Sequence, residues 1–65
     1  MLSEQVRQHW FHMDHERRTE TLKVSGVLWH IADRLALEDD YCDVDDNLTW
    51  RESARLKHWL ESEVG

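Results

Sequence analysis

Three histidines, His9, His12 and His15, follow one another at intervals of three residues near the start of the chain. Side chains at this spacing on a helix face each other, and two imidazoles so placed can share a metal ion. The three together span about 120° of a helix with 3.6 residues per turn, so one ion would have difficulty meeting all of them. They are weak candidates for a metal site, and we predict no metal or other cofactor. Metal binding by these histidines is kept as an alternative function.

Six of the nine residues in 38–46 are acidic, the densest charge in the chain. A calcium loop would need glycine at its sixth position and glutamate at its twelfth. Counted from Asp43, these positions hold Leu48 and Ala54, so the calcium pattern fails. We predict that residues 38–48 form a solvated acidic loop between helices. The sharper alternative is that these acids imitate a phosphate backbone and block a nucleic-acid-binding protein.

Catalytic chemistry finds little support in the sequence. The single cysteine, Cys42, lies among aspartates, and neighbouring negative charge disfavours the thiolate that a nucleophilic cysteine needs. The sequence has no glycine-rich phosphate loop and no nucleophile elbow. We therefore predict that the protein is not an enzyme.

The elements that must position these side chains are predicted to be helices. The 65-residue chain has no proline and only two glycines, so it lacks the turn-forming residues that usually connect the strands of β-hairpins. Apolar residues recur at helical spacing instead. The prediction is an all-α bundle forming a single small domain over residues 1–65.

The first half of the chain allows two helical arrangements. Its apolar residues keep one phase through residues 4–37, which favours a single long helix that Ser3 caps. The average helix is only about 11 to 12 residues long, which favours a break in the polar stretch near residues 15–20 and hence three helices in all. Gly26 lies inside this pattern, where we expect close packing rather than a bend.

The second half carries the clearest local signal. Thr49 followed three residues later by Glu52 forms a capping box, which predicts a helix over residues 50–63. Large apolar side chains must supply the stability of so short a chain, and its four tryptophans are the expected main source of its core. We predict that the bundle is completed by a homodimer, which would cover what one chain leaves exposed. The predicted core or dimer residues are Val6, Trp10, Met13, Val24, Leu28, Trp29, Ile31, Leu35, Leu56 and Leu60.

Two aromatic residues, Phe11 and Trp59, lie off the apolar stripes of their helices. Aromatic side chains are enriched among residues that dominate binding energy at interfaces, so both could anchor a partner. Burial within the bundle or in a homodimer would also account for them. Together with the acids they make up the predicted partner-binding set, which comprises Phe11, Trp59, Asp39, Asp40, Asp43, Asp45 and Asp46.

The charge distribution indicates the kind of partner. Residues 1–37 hold five acids and five bases, whereas residues 38–65 hold nine acids and three bases, so the net charge of −6 arises in the second half. This asymmetry argues against direct binding to nucleic acid, which requires clustered basic residues. A protein with a basic or apolar surface is the expected partner. The leading hypothesis is a non-catalytic interaction module that acts as a small regulator, inhibitor or adaptor.

The same sequence gives an expectation for location. No stretch approaches the roughly 20 apolar residues of a membrane span, and no basic segment followed by an apolar run marks a signal peptide. We therefore expect a cytoplasmic protein that does not bind a membrane.

Overall fold

The computed structural model describes residues 3–65, and these form five short α-helices without a β-strand. The helices are α1 (Glu4–His12), α2 (His15–Val24), α3 (Trp29–Leu35), α4 (Tyr41–Asp46) and α5 (Trp50–Val64). α1 packs on α5 and α4, and α2 packs on α3 and α5. The predicted all-α class is confirmed. No helix among the described residues is both long and apolar enough to cross a membrane.

The boundary between α1 and α2 lies at Met13 and Asp14. Met13 has extended backbone angles, and the Asp14 side chain accepts the Arg17 backbone N–H at 2.8 Å as the N-cap of α2. The single helix over residues 4–37 is therefore wrong, and so is a break near residues 15–20, because those residues are helical. The amphipathic phase continues across the break, but capping by Asp14 makes a fresh start there favourable.

Gly26 ends α2 in a Schellman motif. Its φ of 96° lies in the left-handed region that favours glycine. The Val27 N–H donates to the Leu22 carbonyl at 3.1 Å, and the Gly26 N–H donates to the Lys23 carbonyl at 3.0 Å. Leu22 and Val27 are both buried in the core. Gly26 thus forms the turn that ends α2. The expectation that it allows close packing inside a helix is wrong.

Replacing Gly26 with alanine is expected to lower the free energy of unfolding by about 1 to 2 kcal/mol, because a Cβ makes the left-handed conformation costly. The added Cβ would also lie 3.0 Å from Arg55 Nη1, although that flexible side chain can move. Urea denaturation measures the loss. The matched variant Gly26→Asn should lose less, since asparagine tolerates this conformation. An alanine variant as stable as the native protein would contradict the motif.

The acidic segment contains a helix, so the predicted loop over residues 38–48 is wrong in part. Asp40 caps α4 by accepting the Cys42 backbone N–H at 2.9 Å. Tyr41 and Val44, three residues apart, lie on one face of α4 and are almost completely buried. Burial of this apolar pair holds the acidic segment against the bundle.

α5 agrees with its prediction. Both hydrogen bonds of the Thr49 and Glu52 capping box are present, and the helix extends one residue beyond the predicted end. Leu56 and Leu60 of α5 are completely buried.

The core differs from the predicted set in a systematic way. Six of the predicted residues are buried, namely Val6, Trp10, Met13, Leu35, Leu56 and Leu60. Four others, Val24, Leu28, Trp29 and Ile31, are exposed and do not belong to the core of one chain. The helix boundary at Met13 and Asp14 and the turn at Gly26 interrupt the helical phase on which their assignment depended. Of the four tryptophans only Trp10 is buried, so the expectation of a tryptophan-rich core is also wrong.

Arg18 is a buried residue that the sequence did not reveal. The residue is only 5% exposed, and its guanidinium lies over the Trp10 ring, with Cζ 5.2 Å from the ring centroid. It donates to the carbonyls of Trp10 and Phe11 at the end of α1 and to those of Ala36 and Glu38 after α3, at 3.0 to 3.3 Å. Arg18 therefore joins the ends of two helices by donating to carbonyl groups at the end of each.

Candidate protein-binding groove

The structure brings together three residues of the predicted partner-binding set. Phe11, Asp39 and Asp40 line one groove between α1 and the start of α4, although Phe11 is 28 residues from Asp39 in the sequence. The groove has a volume of about 360 Å³. Its lining is completed by Glu4, Arg7, Gln8 and Tyr41.

Buried contacts beneath the groove fix its two walls. Trp10 points into the core, and its Nε1–H donates to the Glu38 carbonyl at 2.8 Å. Arg18 donates to the same carbonyl and to Asp39 Oδ1 at 3.1 Å. These bonds hold the segment before α4 against α1. Phe11, which follows Trp10 on α1, consequently projects beside Asp39 and Asp40.

Phe11 is available for contact with a partner, because 57% of the residue is exposed. Burial of its ring within the bundle, one of the alternatives, is therefore wrong. The ring meets His12 edge-on with centroids 5.5 Å apart. Its open part can cover an apolar group or meet a cation over its face.

The charges of the groove are predominantly negative. Three carboxylates, those of Glu4, Asp39 and Asp40, face one guanidinium, that of Arg7. Arg7 Nη1 lies 3.7 Å from Glu4 Oε2 in an exposed pair that water screens. Asp39 remains 73% exposed at its side chain despite the bond from Arg18, so its second oxygen can accept a hydrogen bond from another molecule.

Tyr41 lines the groove but is almost completely buried. Burial, reinforced by the negative charges of Asp45 and Glu61, raises the pKa of Tyr41 well above its usual value. The phenol therefore stays protonated at neutral pH. Its ring packs against Trp10 with centroids 5.7 Å apart. Tyr41 thus supports the groove from within the core and adds no charge to it.

The other predicted partner-binding residues lie outside the groove. Asp45 accepts the Ser53 hydroxyl and lies 3.9 Å from Lys57 Nζ, so it joins α4 to α5. Asp43 and Asp46 are exposed on α4 but do not line the groove. Trp59, 46% exposed and hence not buried in the bundle, lies on α5 one turn from both Arg55 and Glu63. Arg55 approaches Gly26, which follows α2, and Glu63 pairs with Arg17 of α2. Trp59 does not line the groove that contains Phe11.

The histidines do not converge on a common point. His9 Nε2 lies 3.8 Å from Glu63 Oε2, whereas His15 Nε2 lies 3.1 Å from the Asp33 carbonyl. Within residues 3–65 no group of three potential ligands is placed to hold a metal ion. The structure thus gives the metal-binding alternative no support.

Cys42 has no chemical activation in its surroundings. Desolvation and the nearby Asp40 raise the pKa of its thiol. The thiolate is therefore a minor species at neutral pH. Its environment is that of a passive thiol.

Comparisons with known protein families, curated proteins and solved structures find no match to this chain. The function must therefore be inferred from the chemistry of the groove itself. That chemistry is an exposed aromatic ring beside an excess of carboxylates, which together suit a ligand with both cationic and apolar parts.

Proposed function

We propose that the protein is a non-catalytic, cytoplasmic interaction module whose groove binds a basic segment of another protein. The observation that carries the proposal is the meeting of Phe11 with Asp39 and Asp40 in one groove. An aromatic ring supplies buried area on binding, and carboxylates select positive charge and speed the encounter. Binding of this kind can regulate, inhibit or tether the partner without any chemical step.

The expected ligand is an arginine-containing peptide. A guanidinium can stack on Phe11 and at the same time donate to the exposed oxygen of Asp39 or to Asp40. Its aliphatic stem would lie along the groove. Lysine offers a point charge and fewer directed donors, so arginine should bind more tightly.

Two ion pairs favour this proposal over mimicry of a phosphate backbone. Arg18 bonds to Asp39, and Lys57 lies near Asp45, so two acids of the acidic segment have partners within the chain. A phosphate mimic needs a row of unpaired charges, whereas a single peptide groove needs only a local excess.

The test uses an array of short peptides that contain arginine, with matched peptides in which lysine or glutamine replaces each arginine. We expect the native protein to prefer the arginine peptides. Phe11→Ala should weaken the best peptide by about tenfold or more, the usual cost of losing an aromatic anchor. Asp40→Asn should weaken it several-fold, because asparagine retains the helix cap but removes the charge. Fluorescence polarisation of a labelled peptide measures both.

Matched controls separate the groove from general effects. Trp59→Ala removes an exposed aromatic elsewhere, and Asp43→Asn removes one charge from α4 outside the groove. Both should leave the affinity nearly unchanged. Equal losses in Phe11→Ala and Trp59→Ala, or equal losses in Asp40→Asn and Asp43→Asn, would show that the groove is not the binding site. Binding that raised salt abolishes completely would favour phosphate mimicry, since burial of Phe11 should survive screening.

A further inference from the structure

The groove is lined by one positively charged residue, Arg7, which an arginine ligand alone does not use. Arg7 lies on α1 one helical turn before Phe11, and its side chain is 45% exposed. Its Nη1 atom lies 3.7 Å from Glu4 Oε2, which is too long for a hydrogen bond. The guanidinium of Arg7 can therefore donate hydrogen bonds to a molecule in the groove.

The part of the groove that suits a ligand cation lies at the end of α1. The guanidinium of Arg18 donates to the Phe11 carbonyl and to Asp39 Oδ1, both at 3.1 Å. Because one planar group makes both bonds, Asp39 is held beside the last turn of α1. A ligand guanidinium that stacks on Phe11 and bonds to Asp39 consequently lies at this end.

Arg7 occupies a different part of the groove. Four residues separate it from Phe11, so the two positions differ by about 6 Å along the axis of α1. Desolvation and the charge of Asp40 raise the pKa of the Cys42 thiol, whereas the charge of Arg7 lowers it. The positive charge of Arg7 therefore acts at the first turn of α4. The groove thus combines a site for a cation with a separate set of N–H donors.

We propose that the preferred ligand carries a carboxylate close to its arginine, and that Arg7 binds this carboxylate while Phe11 and Asp39 hold the arginine. The inference rests on the proposed function, because it requires that the groove bind an arginine. A ligand with arginine alone places two guanidinium groups in one groove, and like charges repel. A carboxylate on the ligand replaces this repulsion with an ion pair, in which the planar guanidinium of Arg7 can donate two bonds.

The spacing of the two sites sets the spacing in the ligand. Side chains two residues apart on an extended peptide lie on the same side, about 6 to 7 Å from each other. An acidic residue two positions from the arginine therefore matches the distance along α1. The α-carboxylate of a peptide that ends in arginine offers the same chemistry. Arg7 thus selects against segments that are purely basic.

Fluorescence polarisation with matched peptides tests the proposal. One peptide has arginine and glutamate separated by a single alanine, with both ends blocked, and its partner has glutamine in place of glutamate. A second pair ends in arginine, with either a free or an amidated terminus. The native protein should prefer a carboxylate in at least one pair by about threefold or more. The pair that shows this preference identifies the source of the carboxylate.

Substitutions of Arg7 assign the preference to this residue. Arg7→Gln should remove the preference and bind the glutamine peptide at least as tightly as the native protein does. Arg7→Glu should reverse the preference, so that a peptide with lysine in place of glutamate binds more tightly than the glutamate peptide. The matched control is Arg51→Gln, which removes an exposed arginine on α5 that does not line the groove, and it should keep the native preference. Circular dichroism should show native helix content in all three variants, since both positions are exposed.

The outcomes separate this inference from the proposed function. If the native protein binds the arginine peptides but prefers a carboxylate in neither pair, the inference is wrong and the proposed function stands. The same holds if Arg7→Gln keeps the preference of the native protein. If no arginine peptide binds, both proposals are wrong.

Discussion

Replacing Arg18 with methionine is expected to lower the free energy of unfolding by about 3 kcal/mol. The guanidinium is the hydrogen-bond donor that the structure shows for the carbonyls of Phe11 and Ala36. Methionine fills a similar space but leaves these groups without that donor, and an unpaired buried carbonyl costs about 1 to 3 kcal/mol. For a domain of this size the loss corresponds to a fall in Tm on the order of 15 °C. Thermal unfolding followed by circular dichroism measures it.

Two further substitutions isolate the geometry of the Arg18 contacts. Arg17→Met removes the neighbouring arginine, whose side chain is exposed and pairs with Glu63, and should cost less than about 1 kcal/mol. Arg18→Lys keeps the charge but lacks the planar array of donors, so it should retain most of the loss. If Arg17→Met and Arg18→Met were equally stable, the proposed link between the helix ends would be wrong.

Replacing Trp10 with alanine is expected to lower the free energy of unfolding by about 3 to 5 kcal/mol. Trp10 is completely buried, packs against Tyr41 and Arg18, and donates to the Glu38 carbonyl. A chain of 65 residues has roughly 3 to 10 kcal/mol of stability in total, so the variant should lose a third of it or more. Urea denaturation at low temperature gives the value.

The control for this prediction is Trp50→Ala. Trp50 is a tryptophan at the exposed start of α5, and its truncation should change stability by no more than about 0.5 kcal/mol. Comparable destabilisation by Trp10→Ala and Trp50→Ala would show that the core is not centred on Trp10.

Features that depend on nearby residues were predictable from the sequence. The all-α class is indicated by helical periodicity and by the scarcity of the turn residues that separate strands. The start of α5 is indicated by the capping box of Thr49 and Glu52. Two helix boundaries were missed although the sequence contains their signals. Asp14 is a preferred N-cap residue and Gly26 a preferred chain-reversing residue, but an apolar phase that continues across both positions masked them.

Features that depend on distant contacts were not predictable in the same way. Arg18 lies in a polar stretch of the sequence. Its guanidinium has five hydrogen-bond acceptors only because α1 and the segment after α3 pack around it in the fold. Tyr41 and Val44 lie among acidic residues in the sequence, so their burial as an apolar pair was not predicted. The exposure of Phe11 could be predicted from its position off the apolar stripe of its helix. Its position beside Asp39 and Asp40 could not, because only the folded chain brings these residues together.

The exposure of three of the four tryptophans has a spectroscopic consequence. Trp29, Trp50 and Trp59 all face water, and only Trp10 is enclosed. Most of the indole emission of the native chain should therefore arise from solvated rings, and unfolding should shift it little. The intrinsic fluorescence of this protein is thus a sensor of its surface more than of its folding.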